Sequence, residues 1–145
     1  MATKKSPNIL VIIACSQRKN DEPAPAKDLY RGTLFRFARE YAETCGYDYR
    51  ILSAKYGLLC PDDLIEPYNQ RISTSADVAR LQQLVIPAAS ALLPQYDKII
   101  LIGGAMYRKV MAPLMEDPEK FEVITDSRGI GGILQTLRRR IEAGK

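Results

Sequence analysis

The sequence predicts an α/β fold: a three-layer, Rossmann-like domain in which a mostly parallel four-stranded sheet carries helices on both faces. Three observations predict it. Apolar, largely β-branched runs without strict alternation recur along the chain, as expected of strands covered on both faces. Segments with apolar residues at helical spacing separate these runs, and glycine, proline and polar stretches mark the junctions. The resulting β-α-β-α-β-α-β-α order implies parallel strands joined by right-handed crossovers.

Asn8 to Cys15 reads as the first buried strand. Ser16 to Gly32 is polar, contains Pro23 and Pro25, and reads as a long loop of the kind that carries function. Thr33 is the expected N-cap of a helix that runs to about Cys45 and is closed by Gly46. Leu34, Phe37, Ala38 and Tyr41 give that helix one apolar face. Tyr47 to Ala54 is the second strand and Lys55 to Thr74 the loop after it. Ser75 is the expected cap of a helix to about Leu93, kinked at Pro87 because proline removes a backbone donor. Lys98 to Ile102 is the third strand, ending in Gly103-Gly104, and Ala105 to about Met115 is a short helix. Phe121 to Thr125 is the fourth strand, and an amphipathic helix after Gly129 runs to about Ala143. With no repeat or linker, the 145 residues read as one domain, with residues 1–7 as a flexible tail.

Histidine is absent, which excludes Ser-His and Cys-His catalysis within one chain. Acid–base chemistry is left to Asp, Glu, Lys, Tyr or Cys. Cys15, Cys45 and Cys60 form an odd set without a C-x-x-C pair. That speaks against a structural zinc site or a disulfide framework and points to a reducing, cytoplasmic setting. No apolar run is long enough to cross a bilayer, so no membrane partner is expected. No residue pattern asks for a metal or another cofactor. A formal net charge of +4 favours polyanionic ligands.

In open parallel sheets, ligands bind beyond the carboxyl ends of the strands. At the first such end, Cys15, Ser16, Arg18 and Lys19 form a wall suited to a phosphate or carboxylate. The thiol of Cys15 reads either as a nucleophile activated by nearby lysines or as a small core residue. At the second, Lys55 suits an anion, Tyr56 a stacked base and Gly57 a close turn, with a plain exposed turn as the competing reading.

Asp62, Asp63 and Glu66, beside Tyr68, are the acid–base candidates. Partial burial of Glu66 between Ile65 and Pro67 would raise its pKa, whereas Asp62 and Asp63 also suit a simple turn after Pro61. Gly103-Gly104, before Tyr107, offers either backbone N–H groups to an anion or close helix–strand packing. Its spacing excludes both G-x-G-x-x-G and the P-loop. Asp126 to Gly132, with Arg128, repeats this strand-to-helix arrangement. Arg138, Arg139 and Arg140 read as a solvated helix end or as a patch facing nucleic acid.

Several motifs occur together and in order: Cys15-Ser16-x-x-Lys19; Ala26 to Phe35, with Leu29, Tyr30, Gly32 and Leu34; Leu52 to Leu58; Glu66-Pro67-Tyr68; and Gly103-Gly104-x-x-Tyr107. Over nearly the whole chain this pattern resembles a family of small bacterial, archaeal and phage proteins known mainly as a domain of unknown function. It is more distantly similar to the YaaA peroxide-stress group, associated with DNA binding. In outline it is also similar to the uracil-DNA glycosylase superfamily, whose water-activating Asp and catalytic His have no counterparts here, so no catalytic residue carries over.

The resulting expectation is an enzyme acting on a nucleobase-containing substrate, through metal-independent cleavage or exchange of an N-glycosidic bond. Glu66, Lys55 and Asp62 would be catalytic. Cys15, Ser16, Lys19, Tyr30, Tyr56, Gly57, Tyr68, Gly103, Gly104 and Tyr107 would bind a nucleotide, nucleoside or nucleic acid. The alternatives are a DNA-, RNA- or nucleotide-binding module without chemistry and a sensor of a small anionic metabolite.

Overall fold

The apolar run near the N-terminus forms β1 (Ile9–Ala14), and its alternating side chains enter two different cores. The computed structural model describes residues 8–16, 19–125 and 128–145. The expected tail, Arg18 and the Asp126-Ser127 part of the last glycine-rich junction lie outside the described residues.

The elements that follow are β2 (Ala24–Pro25), α1 (Ala26–Leu29), α2 (Thr33–Cys45), β3 (Asp48–Ser53), β4 (Gly57–Leu59) and β5 (Leu64–Ile65). Then come α3 (Ser75–Leu92), β6 (Lys98–Ile102), α4 (Ala105–Met111), β7 (Phe121–Val123) and α5 (Ile130–Gly144). The central sheet has five strands rather than the expected four, in the order β4-β3-β1-β6-β7. β3, β1, β6 and β7 are parallel, and β4 is antiparallel to β3. The fifth strand arises because Gly57, at φ +79°, lets the chain turn back at the end of β3 and pair Ile51 with Leu59.

The two expected long loops also carry structure. β2 and β5 pair as a small second sheet, and Lys19 bridges to Tyr30. Two helix starts shift by one residue. Gly32, rather than Thr33, takes the N-cap position of α2 with extended backbone; its N–H donates to Ser16 Oγ at 3.1 Å, and a Cβ there would lie 2.6 Å from Ser16 Cβ. Thr74, rather than Ser75, caps α3: its Oγ1 accepts from Asp77 N–H, and the Asp77 carboxylate accepts in return from the Thr74 and Ser73 N–H groups. Those donors hold the Asp77 carboxyl below its usual range.

Val11, Ile13, Ile51, Ile100 and Ile102 pack in one cluster with Ala38 and Ala42 of α2 and Leu137 and Ile141 of α5. Leu10, Ile12, Leu52, Ile99 and Leu101 pack in the other with Leu81 and Val85 of α3 and Val110 of α4. Near-complete burial of the valine, leucine and isoleucine side chains is worth about 1.5–3 kcal/mol each.

Arg140 corrects the expectation of a solvated C-terminal arginine cluster. It pairs with Glu122 at 2.6 Å and donates to Tyr41 Oη at 3.3 Å, tying α5 to β7 and α2. This pairing, with Lys98 adding to it, lowers the Glu122 pKa. No helix among the described residues is long and apolar enough to cross a membrane.

The chain leaves β1 toward β3 on one side and returns to β6 on the other, so the strand order reverses between β1 and β6. At this point β6 and β1 approach so closely that only glycine fits: a Cβ on Gly103 would sit 2.7 Å from Ala14 Cβ. Gly103→Ala should therefore destabilise the fold by about 1–3 kcal/mol in urea unfolding. Adding Ala14→Gly should return part of that loss, because it removes the other half of the overlap. Strict additivity of the two changes would show that the contact does not constrain the sheet.

Candidate functional site

The end of β1 places Cys15 and Ser16 beside Gly104 and Tyr107, which follow β6. Cys15 is held in place by its N–H, which donates to the Leu52 carbonyl at 2.9 Å. Its sulfur lies 3.2 Å from the Tyr107 hydroxyl. These residues line a cleft whose larger part, about 730 Å³, also takes in Lys19, Arg71, Asn69, Gln70 and Ser73. Two cations line this part, and the described lining residues include no carboxylate. A second concavity, along α2, is different. There cations and carboxylates are mixed, and Arg39 is already bound to Asp28 at 2.8 Å and Glu43 at 3.0 Å.

Three hydroxyls run beside the cleft. Ser53, fully buried at the end of β3, accepts the N–H groups of Lys55 at 3.2 Å and Tyr56 at 3.0 Å. With both lone pairs engaged, its hydrogen goes to Tyr68 Oη, 2.7 Å away. Tyr68 in turn shares a 2.7 Å bond with Tyr30 Oη. Three hydrogens serve two oxygen–oxygen links, so one phenol hydrogen is left for a further acceptor. Tyr56 packs edge-on against Tyr68, with ring centroids 5.5 Å apart.

Lys19 Nζ stands 4.4 Å from the centre of the Tyr68 ring and 5.8 Å from that of Tyr30. Burial lowers the Lys19 pKa; the neighbouring Cys15 sulfur opposes this shift and the charge of Arg71 adds to it. Burial pushes the Tyr30 phenol up to about 12. Burial also raises Tyr68 and Tyr107, with Cys15 adding to both shifts, so all three phenols stay protonated as hydrogen-bond donors.

The structure thus brings together Cys15, Ser16, Lys19, Gly104 and Tyr107, with Tyr30, Tyr56 and Tyr68 behind Lys19. Gly103 serves the close approach of β6 to β1, and Gly57 serves the β3–β4 turn. Lys55 is exposed, with its ammonium 5.2 Å from the Tyr56 ring.

The remaining acidic candidates lie elsewhere. Asp62 is exposed and paired with Lys27 at 2.9 Å. Glu66 is exposed rather than partly buried, because strand alternation turns Ile65 inward and its neighbours outward. Neither carboxylate lines the cleft.

Sequence reasoning missed Arg71, Asn69, Gln70 and Ser73, which follow Tyr68 and precede the α3 cap, and Ile130 at the start of α5. The cation and two amides between a selected tyrosine and a helix start were the available signal. Cys15, Cys45 and Cys60 are all free thiols.

Tyr30 ionises near pH 12 in the folded chain but near pH 10 when unfolded, so the native state holds the extra proton between these values. Its contribution to stability is complete below about pH 10 and is lost as pH rises through about 12. Denaturant unfolding across this window should show falling stability, with a shallower fall in Tyr30→Phe; an identical slope in the variant would refute the assignment. At neutral pH, Tyr68→Phe should cost about 1–3 kcal/mol, since it takes away the acceptor for the buried Ser53 hydroxyl.

Over 142 residues, the sequence is 28% identical to the uncharacterized protein YfjM of Bacillus subtilis (strain 168), covering 92% of this chain and 95% of the relative. Residues 10–139 match the model of a family of unknown function, DUF6884. That span runs from β1 into α5 and includes every cleft-lining residue named above. The chain belongs to this family.

Proposed function

We propose that the cleft between β1 and β6 binds a phosphate-bearing ligand of the nucleotide class, which makes the protein a nucleotide- or nucleic-acid-directed binding module. The observation that carries this reading is the pairing of Lys19 and Arg71 in a lining whose described residues include no carboxylate. Amide donors from Asn69 and Gln70 complete a surface suited to an anion. The two cores on alternate sheet residues support a three-layer, Rossmann-like reading, in which the crevice at the reversal of strand order is where ligands bind. The expected N-glycosidic chemistry assigned Glu66 and Asp62 to a cleft that neither side chain lines, so binding takes precedence over catalysis.

Calorimetric titration with a nucleoside monophosphate tests this proposal. Affinity should fall as salt is raised, and Arg71→Ala and Lys19→Ala should each weaken binding about tenfold, the loss of one charge-assisted contact. Binding should also decline at alkaline pH as Lys19, held below the usual lysine value, loses its proton. Lys19→Arg should move that decline upward. Salt-independent binding, or full affinity in both alanine variants, would remove the basis for the proposal.

A further inference from the structure

The cleft has two lobes, one of mixed polarity that carries the cations and one almost wholly apolar. The larger lobe holds Lys19 and Arg71. The other, about 360 Å³, is lined by Ala14, Leu34, Phe35 and Gly103, with the Thr33 hydroxyl among them. Cys15, Ser16, Gly104, Tyr107 and Ile130 line both lobes and so form the junction between them. A ligand that filled both would carry charge at one end and an apolar body at the other.

Building on the proposed function, we infer that this ligand is a single nucleoside phosphate lying across the junction, with its phosphate between Lys19 and Arg71 and its base in the apolar lobe. The volume of that lobe lies at the small end of ligand pockets, which suits one ring system rather than a run of stacked bases. Its lining mixes aliphatic and aromatic side chains with glycine backbone and the Ser16 and Thr33 hydroxyls. A base needs this mixture, because it presents apolar faces and a polar edge; an alkyl chain has no use for the polar groups. Ile130 is 62% exposed at the junction, and a stacked ring would cover it. In this pose the atoms that link base and phosphate lie against the Cys15 sulfur and the Tyr107 phenol.

The test compares inorganic phosphate, a nucleoside 5′-monophosphate and hexyl phosphate by calorimetry on the full chain, with Arg71→Ala and Ile130→Ser as variants. The monophosphate should bind at least about tenfold more tightly than phosphate, the gain from filling the second lobe. Arg71→Ala should weaken both, whereas Ile130→Ser should weaken the monophosphate more than it weakens phosphate. In a Cys45→Ala/Cys60→Ser background, saturating monophosphate should slow alkylation of Cys15 by iodoacetamide more than saturating phosphate does.

If Ile130→Ser leaves the monophosphate affinity intact, or hexyl phosphate binds as tightly, the base assignment is overturned while phosphate binding stands. Equal protection of Cys15 by phosphate and monophosphate would also overturn the pose. If neither phosphate nor monophosphate binds, the proposed function fails with it.

Discussion

β1 has neither a free edge nor a free face. Its backbone pairs with β3 from Leu10 to Ala14 and with β6 from Ile9 to Ile13, while its side chains alternate between two cores. A buried parallel strand must have each amide and carbonyl satisfied by its neighbours, so β1 sets the register of both adjoining strands. The chain can meet that demand only by crossing over once to each side. The two crossovers diverge where β1 ends, and the cleft opens there. Its location therefore follows from strand order before any side chain is considered.

The side chains then set the electrostatics. Removing Lys19 from water would be costly on its own, and the faces of Tyr68 and Tyr30 offset part of that cost. The tyrosines are in turn held by Ser53, whose hydroxyl is saturated by the turn that launches β4. An edge hairpin at one side of the sheet is thus linked, through three oxygens and a cation, to the wall of the cleft.

Much of this was legible in the sequence because the signals are local. Buried strands announce themselves as apolar runs, and the residues just beyond them (Cys15, Ser16, Lys19, Gly104 and Tyr107) lie where the sheet rule puts a ligand. Other features depend on pairing at a distance. Leu58 and Leu59 look like any short apolar stretch until β3 is beside them. Arg71 reaches Lys19 only because the segment after β5 folds back over the sheet end. Glu66 misled because flanking Ile65 and Pro67 suggested burial, whereas a two-residue strand buries only one of its side chains. Arg140 misled for the opposite reason: a run of three arginines looks solvated, yet helix periodicity turns one of them inward to Glu122.

The near-contact between Ala14 and Gly103 has a further consequence for how such a cleft can change. At its floor the Ala14 methyl already fills the space a Gly103 side chain would need, so neither position has room to grow. A saturation map of the chain would show this floor as a narrow, intolerant line. Positions around it such as Arg71 and Ile130, on a connecting segment and at a helix start, are exposed and have room to vary in size and charge. Divergence in ligand preference among related chains would be written in these walls, while the floor stayed constant.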